Sequence, residues 1–220
     1  MSEPLPLIYP RREVAAGAVH VPGWLSLSQQ RMLVEAYRDW ATGPVPIRAT
    51  RVPGGHLMSV RTVCLGWHWQ PYRYTRTADD AGGGQVAPLP DWLADLGRAG
   101  LAEAYRDSAA ATRYHPDTAL INYYDEAARM GMHQDKDERA DEPVVSLSIG
   151  DAALFRLGNT VNRAKPYADV QLTSGDLFVF GGPSRFAFHG VPKVHPGTAP
   201  ADCGLATGRL NITMRVTGMT

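Results

Sequence analysis

The chain is poor in cysteine. Only Cys64 and Cys203 occur in 220 residues, which excludes the dense disulfide framework of a small secreted domain. No apolar run approaches the roughly 18 residues needed to span a membrane. The first residues, Met1–Pro6, lack the basic segment and apolar stretch of a secretory signal peptide. Internal repeats are also missing. These absences predict a cytoplasmic protein without membrane contact, folded as one large unit, and we expect a monomer.

Acidic residues are missing from one long stretch, although the net charge of the whole chain is zero. Residues 45–78 contain no Asp or Glu. They contain five arginines and four large aromatics: Arg48, Arg51, Arg61, Arg73, Arg76, Trp67, Trp69, Tyr72 and Tyr74. Positive charge interleaved with aromatic rings suits phosphate contacts and base stacking. Arginine greatly outnumbers lysine along the whole chain, so a compositional bias is the alternative explanation.

The first half of the chain predicts a mixture of helices and strands. Residues 28–42 have helical spacing of apolar side chains, with Ser28 as the N-cap. Strands are predicted at 48–52 and 57–63, separated by the turn signal at 53–55. A loop at 81–90 leads into a second helix at about 91–109, which Gly97 and Gly100 weaken and could divide.

From residue 118 onward the pattern changes to short β-type runs separated by turn residues. Strands are predicted at 119–124, 144–149, 153–157, 170–172, 177–180, 186–188 and 210–216. This spacing is typical of an all-β sandwich or jelly roll rather than of alternating βαβ units.

A histidine and a carboxylate two residues apart, His133 and Asp135, form the first candidate metal site. On an extended backbone, side chains two apart point to the same side and can bind one ion. The third ligand is His189 or His195. His189 ends the apolar run 186–188, which we expect to be a core strand, whereas His195 lies in loop-like sequence between two prolines. We therefore favour His189.

Two histidines and one carboxylate leave open positions on a metal, as in non-haem Fe(II) oxygenases. A zinc hydrolase with bound water is the alternative. Arg209 and Arg215 would share one strand face with Asn211 and Thr213, and a guanidinium is suited to hold the far carboxylate of 2-oxoglutarate. This pair favours iron and an organic acid. The alternative is that this face of the strand points to solvent while the other packs on the core.

An ordered series of motifs runs along nearly the whole chain. It comprises Pro53-Gly54-Gly55, Met58-Ser59-Val60, Leu65-Gly66-Trp67, Leu120–Tyr124, His133–Glu138, Val145–Gly150, Ser184–Gly190 and Arg209–Arg215. Each motif is modest alone, but their order and spacing together are specific. In this series the chain resembles the AlkB family of Fe(II)/2-oxoglutarate-dependent nucleic-acid dealkylases, especially its bacterial DNA-repair members.

The resemblance implies a mixed, mainly β fold. A double-stranded β-helix (jelly-roll) core would occupy residues 116–220. An N-terminal extension and an α/β nucleotide-recognition lid would occupy residues 1–115 and pack on the core as one structural unit.

The resemblance also implies cofactors and site residues. The cofactors are Fe(II), 2-oxoglutarate and O₂. Matching the family's metal ligands and catalytic centre are His133, Asp135 and His189. Matching its 2-oxoglutarate contacts are Asn122, Tyr124, Arg209, Asn211 and Arg215, with Arg209 as the clamp on the distal carboxylate. The family's substrate-binding positions are occupied by Met58, Trp67, Tyr72, Tyr74, Asp137 and Arg163. Trp67 and His133 are expected on opposite faces of the base.

The activity implied by the resemblance is oxidative demethylation of 1-methyladenine and 3-methylcytosine in DNA, with release of formaldehyde, succinate and CO₂. The partner would be alkylated DNA, as a single strand or with the base flipped out, and the same chemistry on RNA is the alternative. Two rivals are a hydroxylase of the same chemistry acting on protein or a small metabolite, and a non-catalytic nucleic-acid binder. Tyr123 departs from the family, because close relatives often carry a basic residue there.

Overall fold

The computed structural model describes residues 10–220, so the expectation based on Met1–Pro6 lies outside the described residues. Up to residue 113 the elements are β1 Arg12–Ala15, β2 Ala18–Val21, α1 Leu27–Ala41, β3 Arg48–Arg51, β4 Leu57–Leu65, β5 His68–Gln70, β6 Arg73–Thr75, β7 Thr77–Ala78, β8 Gly84–Gln85, α2 Asp91–Tyr105 and α3 Ser108–Arg113. The remaining elements are β9 Thr118–Tyr124, β10 Met130–His133, β11 Val144–Gly150, β12 Ala152–Leu157, β13 Ala168–Leu172, β14 Leu177–Phe180, β15 His189–His195 and β16 Arg209–Arg215.

Two antiparallel sheets form the body of the protein. The larger has eight strands in the order β1-β2-β14-β11-β16-β9-β4-β3, and the smaller has four in the order β10-β15-β12-β13. Apolar side chains from both sheets, including Phe155, Phe178, Phe180 and Val191, form a core between them. The order of strands is non-sequential, as expected of a jelly roll. The predicted mainly β, jelly-roll fold is confirmed.

The larger sheet is buried on both faces. Its outer face packs Leu147, Leu177 and Ile212 against helix residues such as Leu33 and Leu101. We call the opposite face, which looks toward the smaller sheet, the inner face. Because side chains alternate along a strand, the odd-numbered residues of β16 lie on the inner face while Ile212 and its even-numbered neighbours pack beneath the helices. All seven residues of β16 are buried, so the alternative of a solvent-facing strand is wrong.

The helix boundaries differ from the prediction at two places. Helix α1 is capped by Ser26 and not by Ser28: the Ser26 side chain accepts from the Gln29 N–H while the Gln29 side chain accepts from the Ser26 N–H. This capping box satisfies two helix-end donors at once. Helix α2 passes through Gly97 and Gly100 without a break and ends at Tyr105, and Asp107 then caps α3 by accepting from two backbone N–H groups.

Most predicted strands are present with ends shifted by no more than two residues. The predicted strand at 186–188 is wrong, because these residues follow a 3-10 turn at Gly182–Ser184 in irregular backbone. Strand β15 starts at His189 instead and continues to His195, so the expectation of a loop around His195 is also wrong. Of the three apolar residues in this run only Ala187 is buried in the core, and Phe186 is exposed.

Strands from both halves of the chain lie in the larger sheet. Strand β4 pairs with β9, and β2 pairs with β14. The division into a nucleotide-recognition segment, 1–115, and an oxygenase core, 116–220, therefore stays a prediction. Between β4 and α2, two short hairpins, β5–β6 and β7–β8, project from the sheet. We call residues 66–78 the lid segment.

Gly66 turns the chain from β4 into the lid segment. Its φ is +76°, and a Cβ there would collide with the backbone oxygen of Asp117. We expect Gly66→Ala to lower the free energy of unfolding by about 2 kcal/mol or more, since both the left-handed backbone and the contact oppose a side chain. Chemical denaturation would measure it. Gly131→Ala is the matched control, because a Cβ at Gly131 meets nothing within 4 Å. Equal stability of the two variants would contradict the prediction.

Candidate active site

Three side chains that suit a metal ion converge at one end of the smaller sheet. His133 ends β10 and His189 starts β15, and the two residues are direct cross-strand partners. Asp135 follows β10, outside the strand. Its Oδ1 lies 3.5 Å from His133 Nε2 and its Oδ2 lies 3.5 Å from His189 Nε2. The three ligand atoms lie within 4.8 Å of one another, so one ion between them could contact all three.

The orientation of both imidazoles fits metal binding. His133 Nδ1 lies 2.9 Å from the carbonyl oxygen of Gly131, and His189 Nδ1 lies 3.0 Å from that of Ala187. A carbonyl oxygen can only accept, so each Nδ1 carries the proton. Each Nε2 then faces Asp135 and is the nitrogen positioned to bind an ion. Such backbone contacts to the outer nitrogen are the usual support of histidine ligands.

The charge states of Asp135 and His189 also fit a cation, whereas the pKa of His133 is held above its ordinary value, because the Asp135 carboxylate outweighs the effect of burial. Burial would raise the pKa of Asp135, but the Arg215 guanidinium and the two histidines hold that pKa well below its usual range. The carboxylate therefore stays ionised. Burial lowers the pKa of His189, although Asp135 opposes the shift. A neutral imidazole is the form that ligates.

A narrow inner cavity extends from this trio along the inner face of the larger sheet. It is lined by β9 and β16 residues, among them Asn122, Tyr124, Arg209, Asn211 and Arg215. All five residues predicted to contact 2-oxoglutarate therefore lie together beside the trio. Cross-strand pairing brings them together, since Asn122 is the partner of Asn211 and Tyr124 is the partner of Arg209.

Arg209 is the strongest sign of an anion site in this cavity. Its side chain is buried, and Nη2 donates to Ser148 Oγ at 3.0 Å. Within residues 10–220, neither Nε nor Nη1 has a hydrogen-bond partner. A buried cation with unpaired donors is costly unless an anion meets it. The carboxylate of an organic acid would supply both missing acceptors, and the residues present therefore fit 2-oxoglutarate.

Arg215 differs from Arg209 because protein carboxylates face both of its Nη atoms, although its Nε has no hydrogen-bond partner among the described residues. Its Nη2 lies 2.8 Å from Asp135 Oδ2, and its Nη1 donates to Glu138 Oε1 at 2.9 Å. These acidic neighbours raise the pKa of Arg215 despite its burial. Arg215 reaches both the trio and the inner cavity, but its main contacts are with protein carboxylates.

A wider outer cavity of about 880 Å³ opens from His133 and Asp135 to the surface. This volume lies in the range of ligand-binding clefts. Four of the six predicted substrate residues line it: Met58, Tyr72, Asp137 and Arg163. Tyr72 is 73% exposed and has a φ of +73°, a strained conformation for a bulky residue. Arg163 lies over the Phe188 ring, 5.7 Å from its centroid.

Trp67 does not line the cavity, and this prediction needs correction. Its ring is 6% exposed, lies under the Arg76 guanidinium, and its Nε1 donates to Asp117 Oδ2 at 3.1 Å. The cavity is lined instead by Trp69, whose Nε1 donates to Asp137 Oδ2 at 2.8 Å. Alternation does not separate the two tryptophans, because residues two apart share a face of a strand; Trp67 lies before β5, directly after the Gly66 turn, whereas Trp69 lies within β5 between the buried His68 and Gln70.

Tyr74 is also absent from the outer cavity. It is 7% exposed, and its hydroxyl donates to Glu138 Oε1 at 2.6 Å. Burial raises the pKa of Tyr74 well above its ordinary value, which keeps the hydroxyl protonated as a donor. Tyr74 therefore connects the lid segment to the protein interior and does not form part of the cavity surface.

The arginines of residues 45–78 largely contact the protein itself. Arg48 pairs with Asp80 at 2.9 Å, and Arg76 donates to the Gly66 carbonyl at 2.8 Å. Arg61 lies over the Tyr123 ring, 4.9 Å from its centroid, and Arg51 donates to the Gly55 carbonyl. Of these four arginines, Arg48 has a carboxylate partner, whereas Arg51, Arg61 and Arg76 are exposed and keep positive charge at the surface. Among the described residues, no helix is both long and apolar enough to cross a membrane.

Comparison with known proteins gives one consistent result. A family model described as the 2OG-Fe(II) oxygenase superfamily matches residues 17–215. The chain is 39% identical over 203 residues to the alpha-ketoglutarate-dependent dioxygenase AlkB homolog of Caulobacter vibrioides, covering 88% of this chain and 84% of that protein. It is 36% identical over 216 residues to the alpha-ketoglutarate-dependent dioxygenase AlkB of Escherichia coli, covering 93% and 92% of the two chains.

A plant relative and a solved structure extend the similarity. The DNA N(6)-methyladenine demethylase ALKBH1D of Arabidopsis thaliana is 31% identical over 221 residues, which cover 92% of this chain and 50% of that protein. The solved structure of OsALKBH1 matches with a TM-score of 0.83 at 29% identity, covering 94% of this chain and 99% of that one.

Proposed function

The chain belongs to the AlkB family within the 2OG-Fe(II) oxygenase superfamily, and we propose that it removes methyl groups from the bases of nucleic acid by oxidation. It is a dioxygenase that uses Fe(II), 2-oxoglutarate and O₂. The proposed substrates are 1-methyladenine and 3-methylcytosine in DNA, and the products are the repaired base, formaldehyde, succinate and CO₂. The observation that carries the proposal is the position of the His133–Asp135–His189 trio between an anion-binding inner cavity and an aromatic outer one.

The roles that we propose for the residues follow from this arrangement. His133, Asp135 and His189 would hold Fe(II), and Arg209 would bind the distal carboxylate of 2-oxoglutarate. When bound, the iron centre supplies the oxidation that couples 2-oxoglutarate decarboxylation to insertion of oxygen into a C–H bond of the methyl group. The resulting hydroxymethyl group leaves the base nitrogen as formaldehyde. The protein supplies position and shelter for this chemistry.

The outer cavity offers a chemical fit to a methylated base. A methyl group on a Watson–Crick nitrogen gives 1-methyladenine or 3-methylcytosine a positive charge, and both bases keep an exocyclic amino group. Trp69 offers a ring face for stacking, which attracts a cation. The Asp137 carboxylate beside it offers an acceptor for the amino group and a compensating charge. Such a base has to be unstacked first, and methylation lowers the cost because it weakens pairing.

Mass spectrometry of defined oligonucleotides tests the proposal. DNA and RNA strands carrying 1-methyladenine, 3-methylcytosine or N6-methyladenine would be incubated with the protein, alone and as duplexes. We expect loss of the methyl group from the first two in DNA, only when Fe(II) and 2-oxoglutarate are both present. Loss of the methyl group without 2-oxoglutarate would contradict the proposal. Oxidation of peptides or small metabolites with no oligonucleotide product would favour the rival hydroxylase.

The cytoplasmic location and the monomeric state stay predictions.

Trp69 gives a sharper test of where the base binds. We expect Trp69→Ala to raise the apparent KM for a 1-methyladenine oligonucleotide about 5- to 150-fold, because base–aromatic stacking contributes roughly 1–3 kcal/mol. Trp67→Phe is the matched control. It should lower the midpoint of thermal unfolding, since the bond to Asp117 is lost, and leave this KM unchanged. The reverse pattern would return the stacking role to Trp67.

A further inference from the structure

Glu138 is a buried carboxylate that the proposed chemistry does not use. Its side chain is fully shielded from solvent, yet three donors from separate parts of the chain converge on it. Tyr74 Oη lies 2.6 Å from Oε1, and Arg215 Nη1 lies 2.9 Å from the same oxygen. Arg185 Nη2 lies 3.2 Å from Oε2. A buried carboxylate with this many partners is a built feature, because an unpaired one would be very costly.

Both arginines that bind Glu138 also hold Asp135. Arg215 Nη2 lies 2.8 Å from Asp135 Oδ2. Arg185 Nη1 donates to the backbone carbonyl of Asp135 at 2.6 Å, and its Nε donates to the carbonyl of Glu142 at 2.7 Å. One arginine therefore fixes the side chain of Asp135 and the other fixes its main chain. Glu138 is the anion shared by the two arginines.

The charges explain why this sharing matters. Arg185 and Arg215 carry two positive charges, and Asp135 and Glu138 carry two negative ones. Without the Glu138 charge, the hydrogen bonds of Arg185 among the described residues would go only to the backbone carbonyls of Asp135 and Glu142, and Arg215 would keep its ion pair with Asp135. Arg215 would then compete with a metal ion for the Asp135 oxygens. Glu138 also keeps the second arm of Arg215 occupied, which fixes the angle at which the first arm meets Asp135.

Adjacent carboxylates have separate surroundings here. Asp137 lines the outer cavity and accepts from Trp69. Glu138 points the other way, into the protein, and is not among the residues that line the cavity. A base in the outer cavity would therefore meet Asp137, while Glu138 contacts the groups around Asp135.

We propose that Glu138 is a positioning residue for the metal ligand Asp135, acting through Arg215 and Arg185. The Tyr74 hydroxyl joins the lid segment to the same carboxylate, so the lid segment and the metal ligand share one support. This inference rests on the proposed assignment of His133, Asp135 and His189 as metal ligands. Partners that orient a ligand from outside typically contribute 10- to 100-fold to metal affinity or activity.

A calorimetric titration of the full-length Glu138→Gln variant with Mn²⁺ tests the proposal. We expect the Kd for Mn²⁺ to rise about 10- to 100-fold, because the amide keeps the shape of Glu138 and loses its charge. Glu142→Gln is the matched control: its side chain is exposed, so the variant should bind Mn²⁺ like the wild type. The Co²⁺ absorption spectrum would give a second readout, since it reports ligand geometry, and it should change in Glu138→Gln alone.

A purely structural role for Glu138 predicts a different result. Thermal unfolding would then shift to lower temperature while the Mn²⁺ affinity of the folded protein stayed at the wild-type value, and this outcome would overturn the proposal. Should Glu138→Gln not fold, the same titration on Arg185→Lys decides, because lysine keeps the charge but cannot reach all three acceptors. Unchanged affinity there would also overturn it. Asp135→Asn distinguishes failure of the Glu138 proposal from failure of the ligand assignment. Wild-type Mn²⁺ affinity in that variant would refute the ligand assignment itself.

Discussion

Replacing His189 with alanine is expected to abolish demethylation and to weaken binding of Mn²⁺ by more than about 100-fold, since even residues that only support a ligand contribute 10- to 100-fold. His189 is one of the two proposed nitrogen ligands, and its Nε2 faces Asp135 at 3.5 Å. Oligonucleotide turnover and calorimetry with Mn²⁺ would measure the two effects. Asp135→Asn should have the same result, because the amide lacks the charge that a divalent cation needs.

His195→Ala is the control that makes this experiment decisive. His195 was the rival third ligand, and it lies on the same strand as His189, at the far end of β15, paired with Ala152. We expect this variant to keep both turnover and Mn²⁺ affinity. Loss of metal binding in His195→Ala, with retention in His189→Ala, would reverse the assignment. Circular dichroism on each variant would confirm that the sheets are intact.

Removing the guanidinium of Arg209 is expected to raise the Kd for 2-oxoglutarate by at least about 30-fold. Truncating one partner of a buried charged pair costs roughly 2–5 kcal/mol, and each 1.4 kcal/mol is tenfold. Arg209→Met is the preferred variant, because methionine fills much of the same volume. Calorimetry on the Mn²⁺-loaded protein would measure binding. Arg209→Lys should recover only part of the affinity, since it lacks the forked geometry that matches a carboxylate.

Stability should respond to Arg209→Met in the opposite way. Without 2-oxoglutarate, the wild-type protein buries a cation whose Nε and Nη1 have no hydrogen-bond partner among the described residues. An apolar residue of similar volume is often neutral or stabilising at such a site. We therefore expect the free energy of unfolding to stay the same or to rise. Arg113→Ala, at the exposed end of α3, is the control. Unchanged 2-oxoglutarate binding in Arg209→Met would place the clamp elsewhere, and Arg215 would be the next residue to test.

The strand pattern carries most of what could be predicted about the fold. Short β-type runs separated by turn residues predict the mainly β core, and the 177–180 strand agrees with β14 at both ends. The pattern is less informative where an apolar run is not paired in a sheet. Residues 186–188 are apolar, but their backbone is irregular and only Ala187 among them is buried in the core. Composition alone does not distinguish these two cases.

Trp67 and Trp69 show how far the sequence can predict the residues of the site. The two tryptophans lie two residues apart, and the family resemblance points to Trp67. The turn at Gly66 and the buried flanks of β5 send Trp69 into the cavity instead. Tyr74 likewise moves from a predicted surface role to a bond with Glu138. These outcomes depend on the turn geometry and on contacts between residues far apart in sequence.

The sequence by itself determined the chemistry of this protein: His133 and Asp135 in one motif, His189 in another, and arginines on alternate positions of one strand. These features are local, and a residue type with its near neighbours is sufficient to state them. Only the tertiary structure decided that His133 and His189 are cross-strand partners and that Arg209 is buried with unpaired donors. It also decided that Glu138 connects two arginines around Asp135. The reason is physical: strand register and burial are set by the packing of the whole chain, and residue spacing does not encode them.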